Sequence, residues 1–496
     1  MRLAASSALL ASLLLLPAHG EAQTSPEEQA RRLLEDGRAY WTKGQYKQAL
    51  DNFNTIISGF SGSESVDDAL LEIGRYALEV EGNAARARES FDTVAKRYPQ
   101  SDSAPGAYYY LGWLALTQSQ KPEDIDDALA QFTRVQRLYP RSDWVPQALY
   151  ASGLAERKVG RYPEAVDAQR RVVLEYPASP AAAAAQFEIG HCLTLLGEPR
   201  LAMEEFQKVR NGFPESPWAA QALERTTELY RLYEGSRPAF RLDSGFAIGS
   251  GDALKDVRAI LMTPARTLWI ASDKVRAAVS YDAGGRPSAS LAGQDLSGLS
   301  LTPGNEIVVA ARAAVRVGPR DIRTLTIPGD QPGSSEPLEK ITAALVLPGG
   351  EMLVADEKRK RVLRFAGEPL AYQGTFPDGR EREVRRLVSD SEGAIVLLDQ
   401  DAKSVQVFDA RGRAIRTLGP KGPGYELRRP VDVAVDHSRN LYVADEELGV
   451  LLLAPDGRLL TMIGGEEARK PRALTLEPGG ALLVYSDKTQ RILRYR

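Results

Sequence analysis

Cysteine is almost absent. Cys192 is the single cysteine in 496 residues, so no intramolecular disulfide can form and stability has to come from packing. An isolated cysteine reads as a small buried hydrophobe. Histidine is nearly as scarce, with His19, His191 and His437. A zinc site needs several ligands converging on one point. The last two histidines fall in different domains, so neither a metal nor a cofactor is expected. The formal net charge is only -3, and no global field calls for nucleic acid. Long apolar runs are missing except at the N-terminus. There Arg2 precedes an apolar stretch from Leu3 to Ala18, followed by small residues up to Ala22. That pattern reads as a secretory signal over residues 1–22, and it is short of the roughly 20 apolar residues of a membrane span. The mature chain is expected to be periplasmic or otherwise exported, without a transmembrane segment. No Gly-x-Ser-x-Gly, phosphate-binding loop or His-Glu-x-x-His occurs in a convincing context, and the chain is expected not to be an enzyme.

What is present divides in two. From Pro26 to Tyr233 apolar residues recur at three- and four-residue spacing, the period of helices. Whole segments repeat as well. "RYPQSDSAPGA" (97–107), "LYPRSDWVPQA" (138–148), "EYPASPAAAAA" (175–185) and "GFPESPWAAQA" (212–222) align without a gap, with prolines at Pro99, Pro140, Pro177 and Pro214. Proline ends one helix and Ser or Asp caps the next. A glycine lies midway in each first helix: Gly37, Gly74, Gly112, Gly153 and Gly190. Each second helix pairs a small residue with a bulky one four later, as in Ala49/Phe53, Ala87/Phe91, Ala128/Phe132 and Ala202/Phe206, with Ala165/Gln169 departing. This resembles the tetratricopeptide repeat, in about five copies plus a capping helix, Trp218–Tyr233. The Tyr-Pro-x-Ser junctions are similar to those of bacterial envelope tetratricopeptide proteins of the Tol–Pal coordinator and outer-membrane assembly types. The solenoid is assigned residues 26–235.

Beyond Glu234-Gly235-Ser236-Arg237-Pro238 the chain reads as short strands between Gly/Pro/Asp turns. "LWIASD", "EIVVAA", "MLVAD", "IVLLD", "LYVAD" and "LLVYSD" end at Asp273, Ala311, Asp356, Asp399, Asp445 and Asp487. Six copies of about 40 residues predict a six-bladed β-propeller over 236–496. The last copy stops after its third strand, and an open edge has to be covered. "AFRLDSGFAIG" (239–249) is assigned as the strand that completes it. The stretch "PVDVAVDHSRNLYVADEELGVLLLAPDGRLL" resembles NHL-repeat propellers. The fold class is therefore multidomain, an α-solenoid followed by an all-β propeller.

Two surfaces are candidates for partners. The resemblance to tetratricopeptide repeats implies a concave groove lined by first helices, and that register selects Arg38, Trp41, Arg75, Tyr109, Trp113, Tyr150, Arg157, Phe187 and His191. Aromatic residues and arginine are the types that anchor protein interfaces. Packing between repeats competes for the same side chains, for Trp113 and Phe187 above all. The second surface is the hairpin Lys358-Arg359-Lys360-Arg361, whose competing reading is a solvated turn. The blade-end aspartates read as turn formers, with channel metal ligation as the alternative. The expected function is an exported scaffold or adaptor that binds envelope proteins. The alternative is a propeller that binds a small molecule or glycan, or a lyase- or hydrolase-type enzyme, with the solenoid as docking module.

Overall fold

The computed structural model describes residues 25–118, 122–235, 239–246, 248, 251–329, 331, 334–464 and 468–496. The expected signal, 1–22, lies outside them, as do 236–238 of the junction and 247 and 249 of the expected closing strand. The chain falls into two compact units, Met1–Gly160 and Arg161–Arg496.

Unit one holds α1 (Pro26–Thr42), α2 (Tyr46–Gly59), α3 (Val66–Glu79), α4 (Ala84–Arg97), α5 (Ala104–Gln118), α6 (Pro122–Leu138) and α7 (Val145–Lys158). Unit two opens with α8 (Tyr162–Glu175), α9 (Ala182–Leu195), α10 (Pro199–Gly212) and α11 (Pro217–Leu229). The repeat signals have direct structural causes. At each junction the serine donates its N–H to the aromatic carbonyl three residues back. Ser101, Ser142, Ser179 and Ser216 reach Tyr98, Tyr139, Tyr176 and Phe213 at 2.9–3.0 Å, a β-turn with proline in its second position. The hydroxyls of Ser142, Ser179 and Ser216 accept from the N–H two residues on, at 3.0–3.2 Å.

Within a helix pair, glycine makes room for a ring. A Cβ at Gly37 would lie 2.5 Å from Phe53, at Gly112 2.6 Å from Phe132, and at Gly190 2.7 Å from Phe206. Gly74 faces Phe91 in the same way. All four rings are fully buried. The missing side chain therefore sets how closely α1/α2, α3/α4, α5/α6 and α9/α10 approach.

The rest of unit two is a closed ring of six antiparallel sheets, spanning 257–292, 296–323, 341–376, 384–418, 430–463 and 471–495. Five sheets have four strands in sequence order and the sixth has three. Residues 241–243 lie along the open edge of the sixth. Arg241 and Arg496 exchange backbone hydrogen bonds at 2.8 and 2.9 Å, and the Asp243 N–H reaches the Arg494 carbonyl at 2.8 Å. Second strands such as Leu441–Asp445 and Ile395–Asp399 are buried at every position, whereas the fourth strand Ala414–Leu418 is mostly exposed. A strand covered on both faces reads as a continuous apolar run. Six apolar clusters fill the gaps between neighbouring blades, and the last joins blade six to blade one through Leu483, Tyr485, Ile260 and Ile270.

The register corrects one alignment. Opposite the first residue of each inner strand lie Ser272, Ala311, Asp356, Asp399, Asp445 and Ser486. Asp273 and Asp487 are one residue beyond that position. Three of the side chains there, those of Ser272, Ser486 and Asp445, tie down the segment leading into the blade. Ser272 and Ser486 donate to the Lys255 and Arg469 carbonyls at 2.6 and 2.8 Å. Asp445 does the same work with reversed polarity, accepting from the N–H groups of Arg428 and Arg429 at 2.8 and 2.9 Å.

Candidate functional site

In unit one, Arg38, Trp41 and Arg75 come together around a cavity of about 520 Å³ that Trp144 also lines. The Arg75 guanidinium lies over the Trp41 ring, 5.0 Å from its centroid, which is cation–π geometry. Neither arginine is electrostatically free. Arg38 bonds Asp68 at 2.8 Å and Glu72 at 3.0 Å, and Arg75 takes the second oxygen of Glu72 at 2.8 Å. The cavity wall is thus a neutralised network with an aromatic face. Tyr109 continues it, 5.1 Å from Trp144 and 6.3 Å from Trp113 between ring centroids. Burial, with Glu79 nearby, pushes the Tyr109 phenol above its ordinary pKa. Tyr150 and Arg157 are half-buried on α7, outside this cavity's lining.

The last two groove candidates are in unit two. Phe187 is buried between Phe206 and Trp218, its ring tilted against both at centroid distances of 5.1 and 5.0 Å. His191 Nε2 lies 3.1 Å from Glu392 Oε1, in a turn of blade four. It belongs to a junction between α8–α11 and the propeller. Arg439 of blade five reaches the Tyr162 hydroxyl at 2.9 Å and Asp390 at 3.0 Å. The Tyr233 hydroxyl donates to Asn440 at 2.9 Å, and Arg231 donates to the Gly480 carbonyl at 2.7 Å. The polar face of α11 and the turn after it is therefore spent on blades five and six.

Two carboxyls are buried at this junction, Glu228 of α11 and Asp436 of blade five. Each feels the other's charge. Asp436 Oδ1 accepts from the N–H groups of Ser438 and Asn440 at 2.8 and 2.9 Å. Burial, then the charge of Glu228, raises the Asp436 carboxyl to about 8. Glu228 is also raised by burial, but Arg225 and Arg231 oppose the shift. Burial beside Glu228 thus favours the protonated form of Asp436 at neutral pH. Beside them burial, with Arg225 and then His191 adding repulsion, lowers His437 to about 3. His191 and His437, distant in sequence, share this junction.

The hairpin cations are largely neutralised. Lys358 bonds Glu339 at 2.7 Å, Arg359 bonds Asp356 at 2.7 Å and Glu336 at 3.0 Å, and Lys360 bonds Asp401 at 2.8 Å. Arg361 is exposed at the start of its strand. Three of the four thus point to carboxylates of their own chain.

The most distinctive polar site is one that sequence reading does not select. Every inner strand has a β-bulge after its first residue. The residues left out of the ladder are Arg258, Ser297, Thr342, Arg385, Val431 and Arg472. Bulges re-aim side chains, and here all six line one cavity of about 330 Å³. The cavity lies where the inner strands begin, whereas α8–α11 meet the turns where those strands end. Six cations line it (the three bulged arginines with Arg312, Lys340 and Arg386) against four carboxylates. Arg258 is held by Asp273 at 2.8 Å, Arg472 by Glu446 at 3.2 Å, and Arg386 by the buried Asp432 at 3.2 Å. Among the described residues, Arg385 has neither ion pair nor hydrogen bond. Burial, then the neighbouring Arg472, lowers its guanidinium pKa, with Glu357 and Glu383 opposing. Among the described residues no group of three or more His, Cys, Asp or Glu is placed to hold a metal ion. The shared signal in the sequence is an arginine second in the inner strand: "VRAIL", "VRRLV" and "PRALTL".

These features define a class: tandem tetratricopeptide-type helix pairs followed by a six-bladed β-propeller. Residues 26–149 match the model of the YfiO outer membrane lipoprotein family, and residues 120–181 and 150–217 match a tetratricopeptide-repeat family model. No curated protein matches the chain. Similar solved structures include a streptogramin B lyase, at 10% identity over 52% of this chain and 97% of that one, with TM-score 0.39. A gluconolactonase from Xanthomonas campestris shows 15% identity over 49% and 87%, with TM-score 0.38. The WD40 β-propeller domain of Doa1 shows 14% over 48% and 78%, with TM-score 0.38. No helix among the described residues is long and apolar enough to cross a membrane.

Proposed function

We propose that the protein is an exported scaffold of the bacterial cell envelope, acting in the periplasm or beyond it, that uses its helical repeats and one propeller face to bring protein partners together. The observation that carries this reading is the cavity of Arg38, Trp41 and Arg75, an aromatic and arginine-lined recess of the kind that anchors partner segments. The match of residues 26–149 to an outer membrane lipoprotein family supports the envelope setting. A segment held in the recess and a second partner on the propeller raise each other's effective concentration without any new contact. Catalysis is not part of the proposal. Of the blade-end carboxylates, Asp273, Asp356 and Asp399 each accept a backbone N–H, and Asp445 accepts four.

The test is affinity capture from envelope fractions with the full chain and its Trp41→Ala variant. A protein recovered by the wild type and depleted at least tenfold by the variant supports the reading. Equal recovery of the same proteins by both chains counts against it.

A further inference from the structure

The geometry points to an anion-binding site at the arginine mouth of the propeller, taking a compact oxyanion of the phosphate or carboxylate class. Three observations carry it beyond the scaffold reading. First, the ring is built by the fold. A bulge at the same place in all six inner strands turns one residue per blade toward the cavity, and in blades one, four and six that residue is arginine. Arg258 and Arg472 come from adjacent blades, and Arg385 faces them from across the ring. An anion between them meets guanidinium groups from more than one side, the fork geometry suited to oxyanions.

Second, the charge at the mouth is unbalanced. Arg258 and Arg472 each have a carboxylate, but the half-buried Arg385 has no partner among the described residues. Like charges held near one another without a counter-ion destabilise the folded protein, and such strain persists where a ligand relieves it. Third, the cavity of about 330 Å³ is in the range of small-molecule pockets. The Thr342 and Ser297 hydroxyls on the ring donate to the Val384 and Ala310 carbonyls at 2.6 and 3.1 Å, which leaves anion recognition to the guanidinium groups. The helices of unit two meet the opposite ends of the inner strands, so they do not cover this mouth.

The experiment is titration calorimetry of the full chain at low salt with inorganic phosphate, citrate and, as a neutral control, sucrose. A saturable one-site isotherm for phosphate or citrate is expected, weakening as sodium chloride is added, with no heat from sucrose. Phosphate alone identifies a phosphoryl site, and citrate alone a carboxylate site. Arg385→Gln should lower the affinity at least about tenfold, the effect of losing one charge-assisted contact. The exposed Arg380→Gln should leave it unchanged. Without ligand, Arg385→Gln should melt no lower than the wild type, because it removes an unpaired charge. The inference is overturned if neither anion binds saturably, if Arg385→Gln binds as the wild type does, or if Arg385→Gln fails to fold, which would make the arginine structural.

Discussion

Replacing Asp436 by asparagine should flatten the pH dependence of stability in the wild type. Asp436 is buried beside Glu228, and its carboxyl is raised to about 8. In the unfolded chain the same group titrates near 4. Between those values the folded state holds a proton that the unfolded state has lost. Stability from this group is therefore fully present below about 4, falls as pH rises, and is lost above about 8. For one proton the slope is at most about 1.4 kcal/mol per pH unit, so about 2.7 kcal/mol at most from pH 5 to pH 7. Asparagine copies the protonated form. Its oxygen keeps the N–H groups of Ser438 and Asn440. The side-chain nitrogen of Asn440 and the Tyr442 hydroxyl lose an acceptor, at 2.9 and 3.3 Å, costing about 1 kcal/mol each equally at every pH. The assay is the thermal midpoint of the full chain by circular dichroism at pH 5, 6, 7 and 8. The wild type should lose several degrees more than the variant across that range. Parallel curves would refute a proton held by Asp436 in the folded state.

Other perturbations separate packing from capping. Gly112→Ala places a methyl 2.6 Å from the Phe132 ring. Overpacking costs about 1–3 kcal/mol, which the better helix propensity offsets by about 1 kcal/mol. A lower urea midpoint is expected, with recovery when Phe132→Leu is added. Asp445→Ala strands the N–H groups of Arg428, Arg429 and Glu447, while that of Leu448 keeps the residue-445 carbonyl, and should cost about 3 kcal/mol, whereas Ser272→Ala loses one hydrogen bond worth about 1 kcal/mol. Equal shifts in denaturation midpoint would remove the distinction between these two clamps.

Much of the architecture was legible because its causes are local. A glycine that admits a ring, and a serine that closes the turn after proline, recur at fixed spacing and leave letters in the sequence. Blade number was legible because a strand buried on both faces has to be apolar throughout. Register was harder. Matching on the letter Asp chose Asp273 and Asp487, while the structure uses Ser272 and Ser486, since a hydroxyl donor and a carboxylate acceptor can tie the same segment. Function-bearing positions were least legible. Groove projection selected Phe187 and His191 by helical phase alone. Phase cannot show that Phe187 meets Trp218 or that His191 meets a propeller turn about two hundred residues away. The arginine ring stayed hidden because a bulge is a feature of pairing between strands, and alignment of the second strands passes over it.

The bulges also separate two design problems that most sheets combine. A residue in the ladder has to suit its neighbours across the strand, so its chemistry is constrained by the fold. The six bulged positions are excused from that duty, and they already hold arginine, serine, threonine and valine. One scaffold can therefore carry many different mouths. Selectivity at this end of the ring is adjustable one blade at a time, as with the tumblers of a lock, while the packed layers behind it stay unchanged.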